Sequence, residues 1–84
     1  MYNLNFDPET IEFLKGLDET NARRIWNKIQ TTKENPFHFF VRLTGRQDYK
    51  LRVGDYRVIA DIDNAKKLIN ITRIGHRKNI YKNI

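Results

Sequence analysis

The 84-residue sequence predicts a single α+β domain spanning residues 1–84: an N-terminal strand, an antiparallel helix pair, then a mainly antiparallel four-stranded meander. Three observations predict it. Asp48–Ile62 (DYKLRVGDYRVIADI) alternates apolar and polar residues about a Gly54-Asp55 turn, as a hairpin does. Two apolar stripes at helical spacing lie between residues 8 and 33. Leu68–Ile74 (LINITRI) is a β-branched run of strand length.

Taken in order, Tyr2–Phe6 alternates and reads as a short strand. Asp7-Pro8 is a helix start, with the Asp7 carboxylate set to accept from free N–H groups and Pro8 suited to the first helical position. Ile11, Leu14 and Leu17 recur at helical spacing, and Gly16 lies near the stop. A second helix begins at Asp18–Thr20 and carries Ala22, Ile25, Trp26 and Ile29 on one stripe, leaving Arg23, Arg24 and Lys28 on a solvated face. Asn35-Pro36 ends it, because the residue before proline avoids the α region. Phe37–Phe40 is an aromatic run expected to pack under a sheet, and Val41–Thr44 reads as a strand leading into a turn at Gly45. In the hairpin, Gly at the first turn position fits a type II′ turn. Val53 then faces Tyr56, Arg52 faces Arg57, Leu51 faces Val58 and Lys50 faces Ile59. Tyr49, Leu51, Val53, Tyr56, Val58, Ala60 and Ile62 line one face. Asp63–Lys66 is a turn, LINITRI the last strand, and Gly75–Ile84 a basic tail.

Composition narrows the function. With 39% apolar and 31% charged residues, the chain has a small core and room for a partner that covers exposed apolar surface. It has no cysteine, so it forms neither a disulfide nor a thiolate zinc site, which fits a reducing cytosol. No signal-like N-terminus or eighteen-residue apolar run occurs, so a soluble cytoplasmic protein without membrane contact is expected. Residues 1–45 hold six Lys/Arg and six Asp/Glu, net 0, whereas residues 46–84 hold ten and four, net +6. That asymmetry points to a polyanion or an acidic protein partner.

The two histidines, His38 and His76, stand far apart, serine is absent, and no glycine-rich phosphate loop occurs. Zinc, nucleotide cofactors and hydroxyl or thiol triads therefore have no support, and no cofactor is expected. Asp48 and Asp61 read as ion-pair partners for nearby cations. What remains is basic: Lys50, Arg52, Arg57, Arg73, His76, Arg77 and Lys78, with Tyr81. Arg52 opposite Arg57 is a like-charge pair that costs sheet stability, so its charge is expected to be used. Cations interleaved with aromatic rings suit a single nucleic-acid strand. Arginine forks hold phosphate oxygens and stabilise charge developing on them. Like charges crowding a lysine favour its neutral form, which can accept a proton. The residues alone favour nucleic-acid binding and leave metal-free RNA cleavage open.

YKLRVGDYRVIADID followed by ITRIGHRKNIYK resembles the RelE family of toxin–antitoxin systems, within the wider RelE/ParE superfamily. The resemblance spans the chain and includes the helical pair and Asn35-Pro36-Phe37. It implies a RelE-like compact microbial ribonuclease fold that enters the ribosomal A site and cuts translated mRNA by 2′-OH attack without metal. It also implies a cognate RelB-type antitoxin. Carried over by position, Lys50 would be base or electrostatic activator and Arg52 would hold charge. Arg57 would hold the scissile phosphate, Arg77 would stabilise the transition state or protonate the 5′-oxygen, and Tyr81 would orient or stack on the base. Arg73, His76 and Lys78 would bind RNA. Some relatives have a second lysine where this chain has Arg52, which is a poor proton acceptor. Two alternatives stay open: a ParE-like inhibitor of DNA gyrase, and an RNA- or ribosome-binding protein that has lost cleavage.

Overall fold

A computed structural model describes residues 1–81, in the order β1 (Asn3–Phe6), α1 (Pro8–Gly16), α2 (Glu19–Thr31), α3 (Pro36–Phe39), β2 (Val41–Arg42), β3 (Tyr49–Val53), β4 (Tyr56–Asp63) and β5 (Leu68–His76). Residues 82–84, the end of the basic tail, lie outside the described residues. The strands form one sheet in the order β1-β5-β4-β3-β2. From β2 to β5 it is the expected antiparallel meander, and β1 adds a parallel edge against β5.

The hairpin takes the register its alternation requires: Val53 pairs with Tyr56, Arg52 with Arg57, Leu51 with Val58 and Lys50 with Ile59. Gly54 has φ +59° while Asp55 stays at negative φ, the signature of a type II′ turn. The expected face is buried at Leu51, Val53, Val58 and Ala60. Ile25 and Ile29 of α2, with Tyr2, Phe40, Ile69, Ile71 and Ile74, complete that core. Fully burying one such Leu or Ile side chain contributes about 1.5–3 kcal/mol.

One irregularity decides what β5 presents. Ile59 pairs with Arg73 but Ala60 pairs with Ile71, so Thr72 is an extra residue in the ladder. The bulge switches parity, letting Ile69, Ile71 and Ile74 all reach the core while Arg73 and Gly75 turn to the other face.

The helices begin as the sequence suggests, with one correction. Asp18 caps α2, its carboxylate accepting from the Asn21 N–H at 3.0 Å. The Asp7 carboxylate caps nothing; its backbone carbonyl instead accepts from the Thr10 N–H (2.9 Å) and hydroxyl (2.7 Å). The Asp7 N–H donates to Ile71 O, which ties the helix start to β5. Pro36 opens the four-residue helix α3, where the sequence suggested no helix. This turn drives Phe40 into the core and leaves Phe37 exposed, edge-on to Tyr2 and Tyr49. Trp26 stacks on Phe6 at 5.1 Å yet stays 42% exposed over a groove shared with Ile11, Leu14 and Ala22. No helix among the described residues is long and apolar enough to cross a membrane.

Candidate functional site

By register, Lys50, Arg52, Arg57, Ile59, Arg73 and Gly75 share the sheet face opposite the core. The tail turns back over this face. The His76 carbonyl accepts from the N–H groups of Asn79 and Ile80, both at 2.9 Å, and the Arg77 N–H donates to Asp55 O at 2.8 Å. Ile80 is buried outside the main core, its Cδ1 3.0 Å from where a Cβ on Gly75 would stand. A Cβ at 75 would require Ile80 to give way by a few tenths of an ångström, so a chain segment that looks polar in sequence is held by this close seat together with the Arg77–Asp55 backbone bond.

The fastening divides the sequence-predicted residues into two groups. At the Gly54-Asp55 turn, Arg57 donates from Nη1 to the carbonyls of Gly54 and Tyr56, each at 2.8 Å. Arg77 sits on the same turn, its Nε 3.7 Å from the Asp55 carboxylate, with both side chains more than half exposed. Arg52 is exposed beside it and lines a groove with Gly54. The like-charge pairing of Arg52 and Arg57 is thus relieved in part by carbonyl oxygens that accept from Arg57.

The second group gathers around Lys50 and Tyr81, which line one groove of about 480 Å³ although 31 positions apart. Val41, Arg42, Leu43, Thr44 and Arg46 complete it. Arg46 pairs with Asp48 at 2.6 Å, and the Arg42 guanidinium lies 5.8 Å from the Tyr49 ring centre. Asp48 thus serves the loop cation and not the sheet face, and Asp61 lies exposed, opposite Asn70. Arg42 and Arg46 are absent from the sequence-predicted set. The signal was the antiparallel pairing of Val41 with Lys50, which brings the Gly45 turn alongside Lys50.

Of the three residues expected to bind RNA, Arg73 and His76 line one cleft, and Lys78 stands on the turn beside it. Arg73 lies between α1 and the tail, lining a cleft with Phe13, Ile74 and Ile80. The His76 ring lies edge-on to Tyr56 at 5.5 Å, and its Nδ1 accepts from the Lys78 N–H at 3.1 Å. His76 therefore organises the tail turn, and Lys78 is exposed on it. Among the described residues, no three His, Cys, Asp or Glu side chains gather as metal ligands would.

Comparison with known proteins is consistent across sequence and fold. The profile of the ParE toxin of the type II toxin–antitoxin system parDE matches residues 4–81. A relative from Methanocaldococcus jannaschii that bears the name toxin RelE1 is 30% identical over 87 residues, covering 98% of this chain and 97% of that protein. The crystal structure of the archaeal RelE–RelB complex from Pyrococcus horikoshii OT3 superposes with a TM-score of 0.79 at 25% identity, over 93% of this chain and 97% of the other. The toxin–antitoxin complex RelBE2 of Mycobacterium tuberculosis shares the fold, with a TM-score of 0.78 at 20% identity over 90% and 98% of the two chains. With the hairpin, the mixed sheet and the folded-back tail in hand, these matches assign the chain to the RelE family of toxins, within the RelE/ParE superfamily of type II toxin–antitoxin systems.

Proposed function

We propose that this chain is the toxin of a RelBE-type pair and a ribosome-dependent endoribonuclease, cutting translated mRNA in the A site by 2′-OH attack and held silent by a RelB-type antitoxin. The observation that carries this reading is the return of the tail over the basic sheet face. It brings Arg77 to the turn that holds Arg57, and Tyr81 to the groove of Lys50. A phosphodiester lying across this face would meet cations on both sides of the scissile bond. Lys50 would take the 2′-hydroxyl proton, Arg57 would hold the scissile phosphate, and Arg77 would stabilise charge on its oxygens. Tyr81, 39% exposed as a residue, is available to stack on a base. Arg52 would add charge without accepting a proton. The antitoxin reading is supported by the complexes of the structural neighbours and by the exposed apolar side chains of Trp26 and Phe37.

A second reading follows from the ParE profile match: inhibition of DNA gyrase without RNA cleavage. Primer extension on a translated mRNA, with purified toxin and with or without ribosomes, separates the two. The expected result is cleavage within codons only in the presence of ribosomes. Intact mRNA in both lanes, together with inhibition of gyrase supercoiling by the same protein, would overturn the nuclease reading.

A further inference from the structure

A groove of about 420 Å³ runs between α2 and the hairpin turn, lined by Arg24, Lys28, Arg52, Asn27, Thr31 and the Val53-Gly54 end of β3. Arg24 and Lys28 are one helical turn apart on α2, and Arg52 reaches the groove from β3. Three cations converge there, and no carboxylate lines the groove. Four cations elsewhere on the described surface have carboxylate partners, Lys15 with Glu12, Arg23 with Glu19, Arg46 with Asp48 and Arg77 with Asp55, while others, Lys50 and Arg57 among them, have none. Among the described residues, Arg24, Lys28 and Arg52 form no such pair.

Their positions are held by features other than charge. The Arg24 guanidinium lies over Gly54, where a Cβ would come within 2.7 Å of Nη1, so the glycine that makes the turn also makes room for the arginine. Lys28 Nζ stands 5.0 Å from the centre of the Phe39 ring. Uncompensated like charges that are held together cost stability, and an anion that neutralises them recovers it.

We propose that this groove is a phosphate-binding site for the backbone of an RNA strand that continues past the Arg57–Arg77 turn. The proposal rests on the RNA-directed reading above. Two guanidinium forks and an ammonium suit successive phosphates, and Asn27 and Thr31 supply side chains able to hydrogen-bond sugar hydroxyls. An acidic peptide is the poorer fit, because Val53 is the sole aliphatic side chain in the lining and a bound peptide needs apolar anchors.

The test is the salt dependence of binding to a 2′-O-methyl RNA 30-mer, which lacks the nucleophile and so reports binding without cleavage. Arg24→Gln/Lys28→Gln removes two proposed contacts, and Lys15→Gln/Arg23→Gln removes the same charge outside the groove. For the groove double variant, the slope of log K against log[salt] is expected to become shallower by about 1.4, at about 0.7 per single-strand phosphate. The control double variant keeps the wild-type slope. Equal changes in both variants, no change in either, or no salt-dependent binding by the wild type would each overturn the groove. So would an unchanged RNA slope with a selective loss of binding to a polyglutamate peptide. The outcome is separable from that for the nuclease reading. A wild type that binds the 30-mer but leaves ribosome-bound mRNA intact defeats cleavage alone. One that cuts mRNA while the groove variant keeps its slope defeats the groove alone.

Discussion

Ile80 lies on Gly75, with its Cδ1 3.0 Å from the position a Cβ would take, and this contact fastens the tail to the sheet. The contact lies between Arg77, which its own N–H also ties to Asp55 O at the hairpin turn, and Tyr81 in the Lys50 groove. Gly75→Ala is therefore expected to lower mRNA cleavage while the core stays folded. Ile80→Val removes the clashing Cδ1, so the double variant should recover activity that Gly75→Ala loses. A double-mutant cycle on cleavage rate reads this coupling directly. Additive losses would mean that the contact does not set the tail's position.

Arg57 and Arg77 are expected to behave alike in activity and differently in stability. Either change to Ala should abolish growth arrest while antitoxin binding persists. Arg57 is half-buried and gives two hydrogen bonds to backbone carbonyls, so Arg57→Ala should also cost about 1–3 kcal/mol, at about 0.5–1.5 for each bond. Arg77 makes one exposed ion pair at 3.7 Å, and its loss should leave the denaturation midpoint close to wild type. Urea melts of the two variants beside a growth assay check both statements. Full toxicity in either variant would remove it from the site.

Leu51 is the core contrast to these surface residues. It lies on β3 and is 2% exposed, and Leu51→Ala should lose about 2–5 kcal/mol by lost transfer energy and the cavity left behind. Equilibrium unfolding measures it, and a loss below 1 kcal/mol would contradict the packing.

The hairpin was legible because two local signals agree there: period-two alternation and Gly at the first turn position. The start of α2 at Asp18–Thr20 was legible for a similar reason, since the capping interaction found there closes within four residues. Features that depend on tertiary placement were not. Nothing in LINITRI marks Thr72 as the extra residue, because the bulge is defined by which β4 residues it must match. Arg24 reads as a solvated cation until α2 is laid against Gly54. Ile80 stands in a polar tail with no periodicity, and its burial depends on the gap at Gly75. The Asp7 carboxylate failed to cap because Thr10 satisfies the helix start through the Asp7 backbone carbonyl. The candidate residues were chosen by type, which left out Arg42 and Arg46, and their division into a turn group and a groove group came from packing.

The Asp18 cap makes stability depend on pH. Hydrogen bonds from the Asn21 backbone N–H, and then from its side-chain amide, hold the Asp18 carboxyl below its ordinary value of 3.8. A carboxyl with a depressed folded-state pKa contributes stability that is fully present above its unfolded value and lost as pH falls through the folded one. Wild-type Tm should therefore drop more steeply below pH 4 than that of Asp18→Ala, which lacks the titrating cap. Parallel Tm profiles from pH 6 to 2.5 would show that the cap contributes nothing to folding.

Lys50 carries the most specific chemical prediction, because two substitutions separate its charge from its proton chemistry. Lys50→Arg keeps a cation in the groove shared with Tyr81, Arg42 and Arg46, but a guanidinium does not give up its proton in a protein. Lys50→Gln removes both charge and basicity. If Lys50 accepts the 2′-hydroxyl proton, single-turnover cleavage on ribosomes should fall by about 10²-fold or more in both variants, within the range for a general base. Affinity for the ribosome should fall only in Lys50→Gln, where the cation is lost. Cleavage by Lys50→Arg at near wild-type rate would instead make Lys50 an electrostatic contact, and the proton would have to leave by another group.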